Sequence, residues 1–308
     1  MDARWLRYFI AIAESGSFSQ AARMLGIAQP ALSRHVRQME QELGVSLLVR
    51  TARGVTMTEE GERLHSMALD ILRQLDMLPQ AIGADRSVVM GRVVIGVPTS
   101  ASAVLSQPLL RAAMEQYPQV QIHLVESLSG YLDEWVQAGR LDMAILYDAA
   151  PRPNLRVEPI LSEDIWLIGA ASALPRNRNG ITFRELEKFP LIIPGLAHSH
   201  RQLIQGLALK HEVKLQVVAD VDSLHVNKGL VAEGRTFTLL ARSAVAPEIA
   251  AGILGAVRVR DPSITRSVSL ARPLSRGYTR AADAIASLCI ETAHALREEG
   301  VWHGRRVG

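Results

Sequence analysis

Residues 17–58, SFSQAARMLGIAQPALSRHVRQMEQELGVSLLVRTARGVTMT, read as a helix, a tight turn, a second helix and a two-stranded wing that carries arginines. Ser17, followed three residues later by Gln20, is a capping-box pattern that satisfies the free N–H groups of a new helix. That helix turns Ala21, Ala22 and Leu25 inward, and Gly26 supplies the positive φ needed for a sharp interhelical turn. Pro30 suits the first turn of the next helix, where a missing N–H costs nothing, and Gly44 closes it. Leu32, Val36, Met39 and Leu43 form the apolar stripe of that helix, which leaves Gln29, Ser33, Arg34 and Arg37 on its outward side. Arginine bonds guanine through two parallel hydrogen bonds, and glutamine and serine bond base edges or phosphate. The outward set therefore suits the major groove of double-stranded DNA. Phe18 to Arg37 is the expected helix-turn-helix, with Ser17, Gln29, Pro30, Ser33, Arg34 and Arg37 as candidate DNA-binding residues.

Upstream, Leu6, Phe9, Ile10 and Ala13 recur at helical spacing and predict a first helix with one buried face, ended by Gly16. Downstream, Leu47 to Arg50 and Val55 to Thr58 flank Arg53-Gly54, a hairpin placement that would bring Arg50 and Arg53 to the phosphates. Residues 1–58 hold seven arginines against four acids. Ordinary solvated arginines on a small helical domain are the competing explanation. Against it, caps, turn glycine, proline and wing all agree with one another.

The run AIAESGSFSQAARMLGIAQPALSRHVRQMEQELGVSLLVRTARGVTMTEEG resembles the amino-terminal segment of the LysR-type transcriptional regulators. A weaker resemblance continues through GRVVIGVPTS, the LVES segment and GRLDMAILYD, so it spans essentially the whole chain, and it is most similar to the subgroup that includes nitrogen assimilation control regulators. The resemblance implies an α/β protein with three parts: an N-terminal winged helix-turn-helix (1–58), a dimerising linker helix and hinge (59–90), and a two-lobed, periplasmic-binding-protein-like effector domain (91–308). Lobe one would take about 91–163 and 265–308, lobe two about 164–264. It further implies a homodimer or homotetramer that bends operator DNA, answers a small effector and meets RNA polymerase. Two positions depart from the family pattern. Ala28 stands where relatives place Ser or Thr as a helix cap, which costs the recognition helix ~1 kcal/mol. In Gly234-Arg235-Thr236-Phe237, threonine replaces a second glycine, and Arg235 would then occupy effector space and alter or remove the effector response.

From Thr58 to about Gly83 the pattern is one long helix, with Glu59 and Glu60 where the helix dipole favours them. Leu64, Ala68, Ile71, Leu75, Leu78 and Ile82 alternate spacings of three and four, a seam that packs either on its own chain or on a second copy. Residues 84–90 show no periodicity and form the expected hinge. Beyond them, short apolar runs alternate with amphipathic helices, which predicts βαβ units and a mostly parallel sheet.

Open α/β sheets bind ligands beyond the carboxyl ends of their strands, often at helix amino termini. Three loops meet that condition: Thr99, Ser100 and Ser102 after one strand, Ser127 and Ser129 after another, and His198, Ser199, His200 and Arg201 before a helix. Plain helix capping explains any single hydroxyl among them equally well. By the resemblance, these positions line an interlobe cleft, and Arg201 favours a small organic anion.

The remaining composition narrows the class. With 48% hydrophobic residues among 308, the chain has material for about two cores. Its single cysteine, Cys289, excludes an internal disulfide framework and fits a cytoplasmic location. No apolar run reaches the ~18 residues of a membrane span, so no membrane partner is expected. No Walker loop, dinucleotide fingerprint or paired Cys-x-x-Cys occurs, and His198-Ser199-His200 is neither a positioned triad nor a metal set. No cofactor, metal or enzymatic activity is expected. The rivals to a regulator are a small-molecule sensor whose DNA contact is vestigial and an enzyme on a binding-protein scaffold, and no residue favours the second.

Overall fold

The computed structural model describes residues 2–51, 54–82, 88–175, 179–196, 198–274 and 279–307. Two compact units divide the chain: Met1–Gly91 with Ala138–Arg140, and Arg92–Gln137 with Leu141–Gly308.

The first unit is built on α1 (Ala3–Ser15), α2 (Phe18–Leu25), α3 (Gln29–Leu43), the hairpin β1 (Leu48–Thr51) and β2 (Gly54–Met57), and α4 (Glu59–Ile82). Helix α1 buries more than the single face predicted. Leu6, Phe9 and Ile10 pack with Met39, Leu47 and Ala68, whereas Ile12 packs with Ala21, Ala22, Leu32 and Val36. Each such large side chain taken from water contributes about 1.5–3 kcal/mol, so α1 ties two clusters into one domain. Gly26 adopts φ 67° between α2 and α3, and its N–H bonds the carbonyls of Ala22 and Arg23. Leu43, expected on the buried stripe of α3, is 42% exposed, because the helix ends there and Leu47 fills that side of the core.

Helix α4 starts on Thr58, whose hydroxyl accepts from the Gly61 N–H (2.9 Å) and donates to the Ser46 carbonyl (2.7 Å). Gly61 must be glycine, since a Cβ there would stand 2.1 Å from the Leu47 carbonyl oxygen. The α4 seam splits. Leu64 and Ala68 pack with Leu69 and Leu72 into the domain's own core, while Ile71, Leu75 and Leu78 are exposed.

The second unit continues with β3 (Met90–Pro98), α5 (Thr99–Gln116), β4 (Gln119–Ser127), α6 (Ser129–Gln137), β5 (Met143–Tyr147), β6 (Leu155–Ala170), β7 (Ile181–Thr182), β8 (Pro190–Ile193), α7 (Ser199–Lys210), β9 (Gln216–Asp220), α8 (Leu224–Ala232), β10 (Thr238–Ala241), α9 (Ala246–Ala250), β11 (Leu254–Arg260), β12 (Ile264–Pro273), α10 (Arg280–Glu298) and β13 (Arg305–Arg306). Alternating helices and strands are present as the sequence pattern predicts, but the sheet is not mostly parallel. Parallel pairing joins β3 with β5, β7 with β11 and β8 with β9, whereas β6 pairs antiparallel with β10, β11, β12 and β13. The cause is the length of β6, 16 residues, whose first half, LRVEPILS, is interrupted by Pro159 and so does not read as strand.

Strands β6 and β12 run together from Leu155↔Pro273 to Ile165↔Ile264, with a register shift at Val268/Ser269. Around one end lie Leu132, Val136, Leu141, Leu146, Leu155 and Ala271. Around the other lie Ile165, Leu167, Phe183, Leu191, Ile204, Leu239 and Ile264. A further cluster holds Ile168, Val231, Leu240, Val245 and Leu254, and Arg266 of β12 faces a cavity.

Candidate DNA-contacting face and effector cavity

Helix α3 turns Leu32, Val36 and Met39 into the domain and leaves Arg34 and Arg37 exposed, with no ion pair to either among the described residues. Gln29 and Ser33 are half-buried one turn apart, and the Gln29 amide donates to the Ser33 hydroxyl at 3.0 Å. Pro30 occupies the first turn and is exposed. Ser17 caps α2, its hydroxyl accepting from the Gln20 N–H at 3.3 Å. Ala28 holds the cap position of α3 without a side-chain bond, as its methyl group dictates. In the wing, the Arg50 guanidinium lies over the Phe18 ring at 5.0 Å, so the wing is braced on α2 by that contact. Arg53 lies outside the described residues.

In the second unit a cavity of about 40 Å³, partly open to solvent, is lined by Pro98, Thr99, Ser100, Pro194, His198, His200, Val221, Asp222, Leu224, Asn227, Leu240 and Arg266. Of the nine positions that sequence reasoning placed in an effector cleft, Thr99, Ser100, His198 and His200 line it. Ser102 does not, because its hydroxyl bonds Ser106 at 2.9 Å along α5. Ser127 ends β4 and Ser129 starts α6, both outside the lining, and the Ser129 side chain is buried. Ser199 also points elsewhere, into the protein.

Arg201, the expected anion-binding cation, is committed to the fold: it donates to Asp220 at 2.9 Å and to the Pro194 carbonyl at 3.2 Å. Arg235 is exposed and lines nothing here, while Thr236 donates to the Leu230 carbonyl. The expected intrusion of Arg235 on the cavity is therefore absent.

The cation of this site is Arg266, which sequence reasoning missed. It is 4% exposed, and its Nε donates to Glu163 Oε1 at 2.6 Å. Its Nη2 reaches the Ser100 hydroxyl at 3.0 Å, and its carbon lies 3.5 Å above the Tyr147 ring. Ser100 in turn bonds the Tyr147 hydroxyl at 2.7 Å. Burial works against the Arg266 charge, yet Glu163 foremost offsets it and holds the pKa above its ordinary value. Burial pushes Tyr147 up to about 12. Burial, reinforced by the Arg266 charge, lowers His198 and drives His200 down to about 3, so both rings are neutral.

Pro98 stands at the cap of α5 and makes no side-chain bond to the helix; the Ala101 N–H bonds the Tyr147 hydroxyl, and Thr99 and Ser100 lie at the cavity wall. Cys289 is fully buried in α10, and burial raises its thiol to about 12, as its apolar context predicts. Among the described residues no group of His, Cys, Asp and Glu could hold a metal ion. No described helix is long and apolar enough to cross a membrane.

A winged helix-turn-helix with a basic outward helix, joined to an α/β unit with a polar cavity, defines a DNA-binding transcriptional regulator with an effector-binding domain. Residues 3–62 match the bacterial regulatory helix-turn-helix protein, lysR family, and residues 86–293 match the LysR substrate binding domain, so the chain belongs to the LysR family. It is 32% identical over 271 residues to the nitrogen assimilation regulatory protein nac of Klebsiella aerogenes, covering 88% of each chain. It is 30% identical over 304 residues to the HTH-type transcriptional regulator BbuR of Bordetella bronchiseptica, covering 99% of this chain and 94% of that one. Its fold matches a full-length OxyR from Pseudomonas aeruginosa with a TM-score of 0.78 at 22% identity, covering 100% and 98% of the two chains.

Proposed function

We propose that α3 reads an operator through Gln29, Ser33, Arg34 and Arg37, that the wing holds the adjacent phosphates, and that a small organic anion in the Arg266 cavity modulates the response. The observation that carries the effector reading is the Arg266 guanidinium, buried beside Ser100 at the start of α5. A carboxylate placed there gains a charge-assisted bond in a low-dielectric setting. The exposed Ile71, Leu75 and Leu78 of α4 support self-association through the linker helix, with two dimers forming a tetramer that bends DNA between adjacent sites. Effector preferring one arrangement would shift the population and with it polymerase access, without chemistry on the effector. A cytoplasmic location follows from this role.

The test is a quantitative gel shift of the intact chain on its own upstream DNA and on random duplex. Arg34→Ala should lose ~1–3 kcal/mol on the specific site alone. Equal losses on both duplexes would overturn base reading by α3.

A further inference from the structure

The polar atoms of the cavity divide by hydrogen-bonding sign. Arg266 and the Thr99 and Ser100 N–H groups at the start of α5 can only donate. The opposite character belongs to Asn227, His200 and Asp222. The Asn227 amide nitrogen donates to the Ile192 carbonyl at 3.3 Å, and that carbonyl fixes the amide's orientation, because a flip would set oxygen against oxygen. Asn227 Oδ1 is then left buried, with no hydrogen-bond partner among the described residues.

His200 repeats the pattern. Its Nε2 lies 2.7 Å from the Leu239 carbonyl, which can only accept, so Nε2 carries the proton. With the ring neutral through burial, Nδ1 is a bare lone pair, also buried and without a partner among the described residues. Asn227 and His200 are each 3% exposed, and both line the cavity. Asp222, a carboxylate, lines it with them.

A lining that holds two buried acceptors without partners among the described residues and a carboxylate, as well as a cation and the Thr99 and Ser100 N–H groups, matches a molecule that carries both signs of charge. We propose that the effector is a small amino-acid-like zwitterion, its carboxylate held by Arg266 and the α5 start and its ammonium group by Asn227 Oδ1, His200 Nδ1 and Asp222. A dicarboxylate that lacks the ammonium group leaves the Asn227 and His200 acceptors without a donor. A monocarboxylate without the ammonium leaves the two buried acceptors unsatisfied, which is costly in a dry site. This assignment rests on the anion reading of the cavity and adds the second end of the ligand to it.

The test is calorimetric titration of the intact chain with matched pairs that differ only in the ammonium group: L-alanine against propionate, L-glutamate against glutarate, and L-glutamine against glutaramate. In at least one pair the ammonium-bearing member should bind ~10-fold more tightly or better. That preference should vanish in Asn227→Leu and in His200→Phe while the residual carboxylate affinity survives. The wild-type pair comparison decides the matter even if one variant fails to fold. Carboxylates that bind with no preference for the ammonium would overturn the zwitterion assignment and leave the anion reading standing. Failure of every probe to bind would overturn both.

Discussion

The indole N–H of Trp302 donates to Glu163 Oε2 at 2.8 Å, and the other oxygen of that carboxylate holds Arg266. Both Trp302 and Glu163 are almost wholly buried. The last residues of the chain therefore fix the counter-ion of the cavity's cation, an arrangement reinforced by β13 pairing with Leu161 and Ser162. Trp302→Phe keeps the packing but removes the donor, and should cost about 1–3 kcal/mol in urea denaturation. Arg266→Met should cost more, ~3–5 kcal/mol, because it leaves Glu163 buried without its cation. Equal stability of both variants and the wild type would refute the coupling.

Acid should destabilise the effector domain through His200. The unfolded ring takes up a proton near its ordinary value of 6.5, whereas the folded ring resists protonation down to about 3. The stabilisation is therefore complete above pH 6.5 and is lost as pH falls from 6.5 toward 3, by about 2 kcal/mol at pH 5. His198, lowered by burial too, acts in the same direction. Melting curves of wild type and His200→Gln between pH 7.5 and 5 should show a flatter slope for the variant, a choice of range set by the titration window.

Restoring a hydroxyl at the head of α3 should help the recognition helix. Ala28→Ser is expected to add ~1 kcal/mol to the melting stability of the DNA-binding unit. An unchanged melting point would mean that the helix start is already satisfied in another way.

Contact between α4 and the Leu47 backbone leaves no space for a methyl group. Gly61→Ala should destabilise the N-terminal unit by ~1–3 kcal/mol and weaken DNA binding in parallel, since α4 and the wing strand would have to separate. Circular dichroism melts beside gel shifts would check both effects.

Cys289 should resist alkylation in the native chain and react at an ordinary rate only in denaturant, because its thiol is buried and held near 12. Rapid labelling of the native protein by a maleimide would contradict that placement.

Local signals carried the DNA-binding half of the reading. Ser17, Gly26, Pro30 and Gly44 each mark a helix end through the chemistry of one residue, so the helix starts and stops are legible without any tertiary contact. Class and architecture of the second unit followed from its alternation, but its sheet direction did not, because β6 pairs with four strands drawn from distant segments. The cavity was only half legible. Thr99, Ser100, His198 and His200 sit in loops that a topological rule selects, whereas Asp222, Asn227 and Arg266 have no local signature and are assembled by the fold. Arg201 misled because a cation at a helix start looks like an anion site until its bond to Asp220 is seen. Ser102 misled for the same local reason, its hydroxyl being spent on Ser106.

Strands β6 and β12 run paired from the cluster around Leu155 and Ala271 to the cluster around Ile165 and Ile264, and their pairing slips once, at Val268/Ser269, two residues beyond Arg266. No slack tether joins the two halves there, so any relative movement must be stored as elastic twist in a paired ribbon, in the manner of a leaf spring. Substitutions that stiffen or soften that ribbon should retune sensitivity to the effector without touching it, and the two halves should not survive as separately cloned fragments.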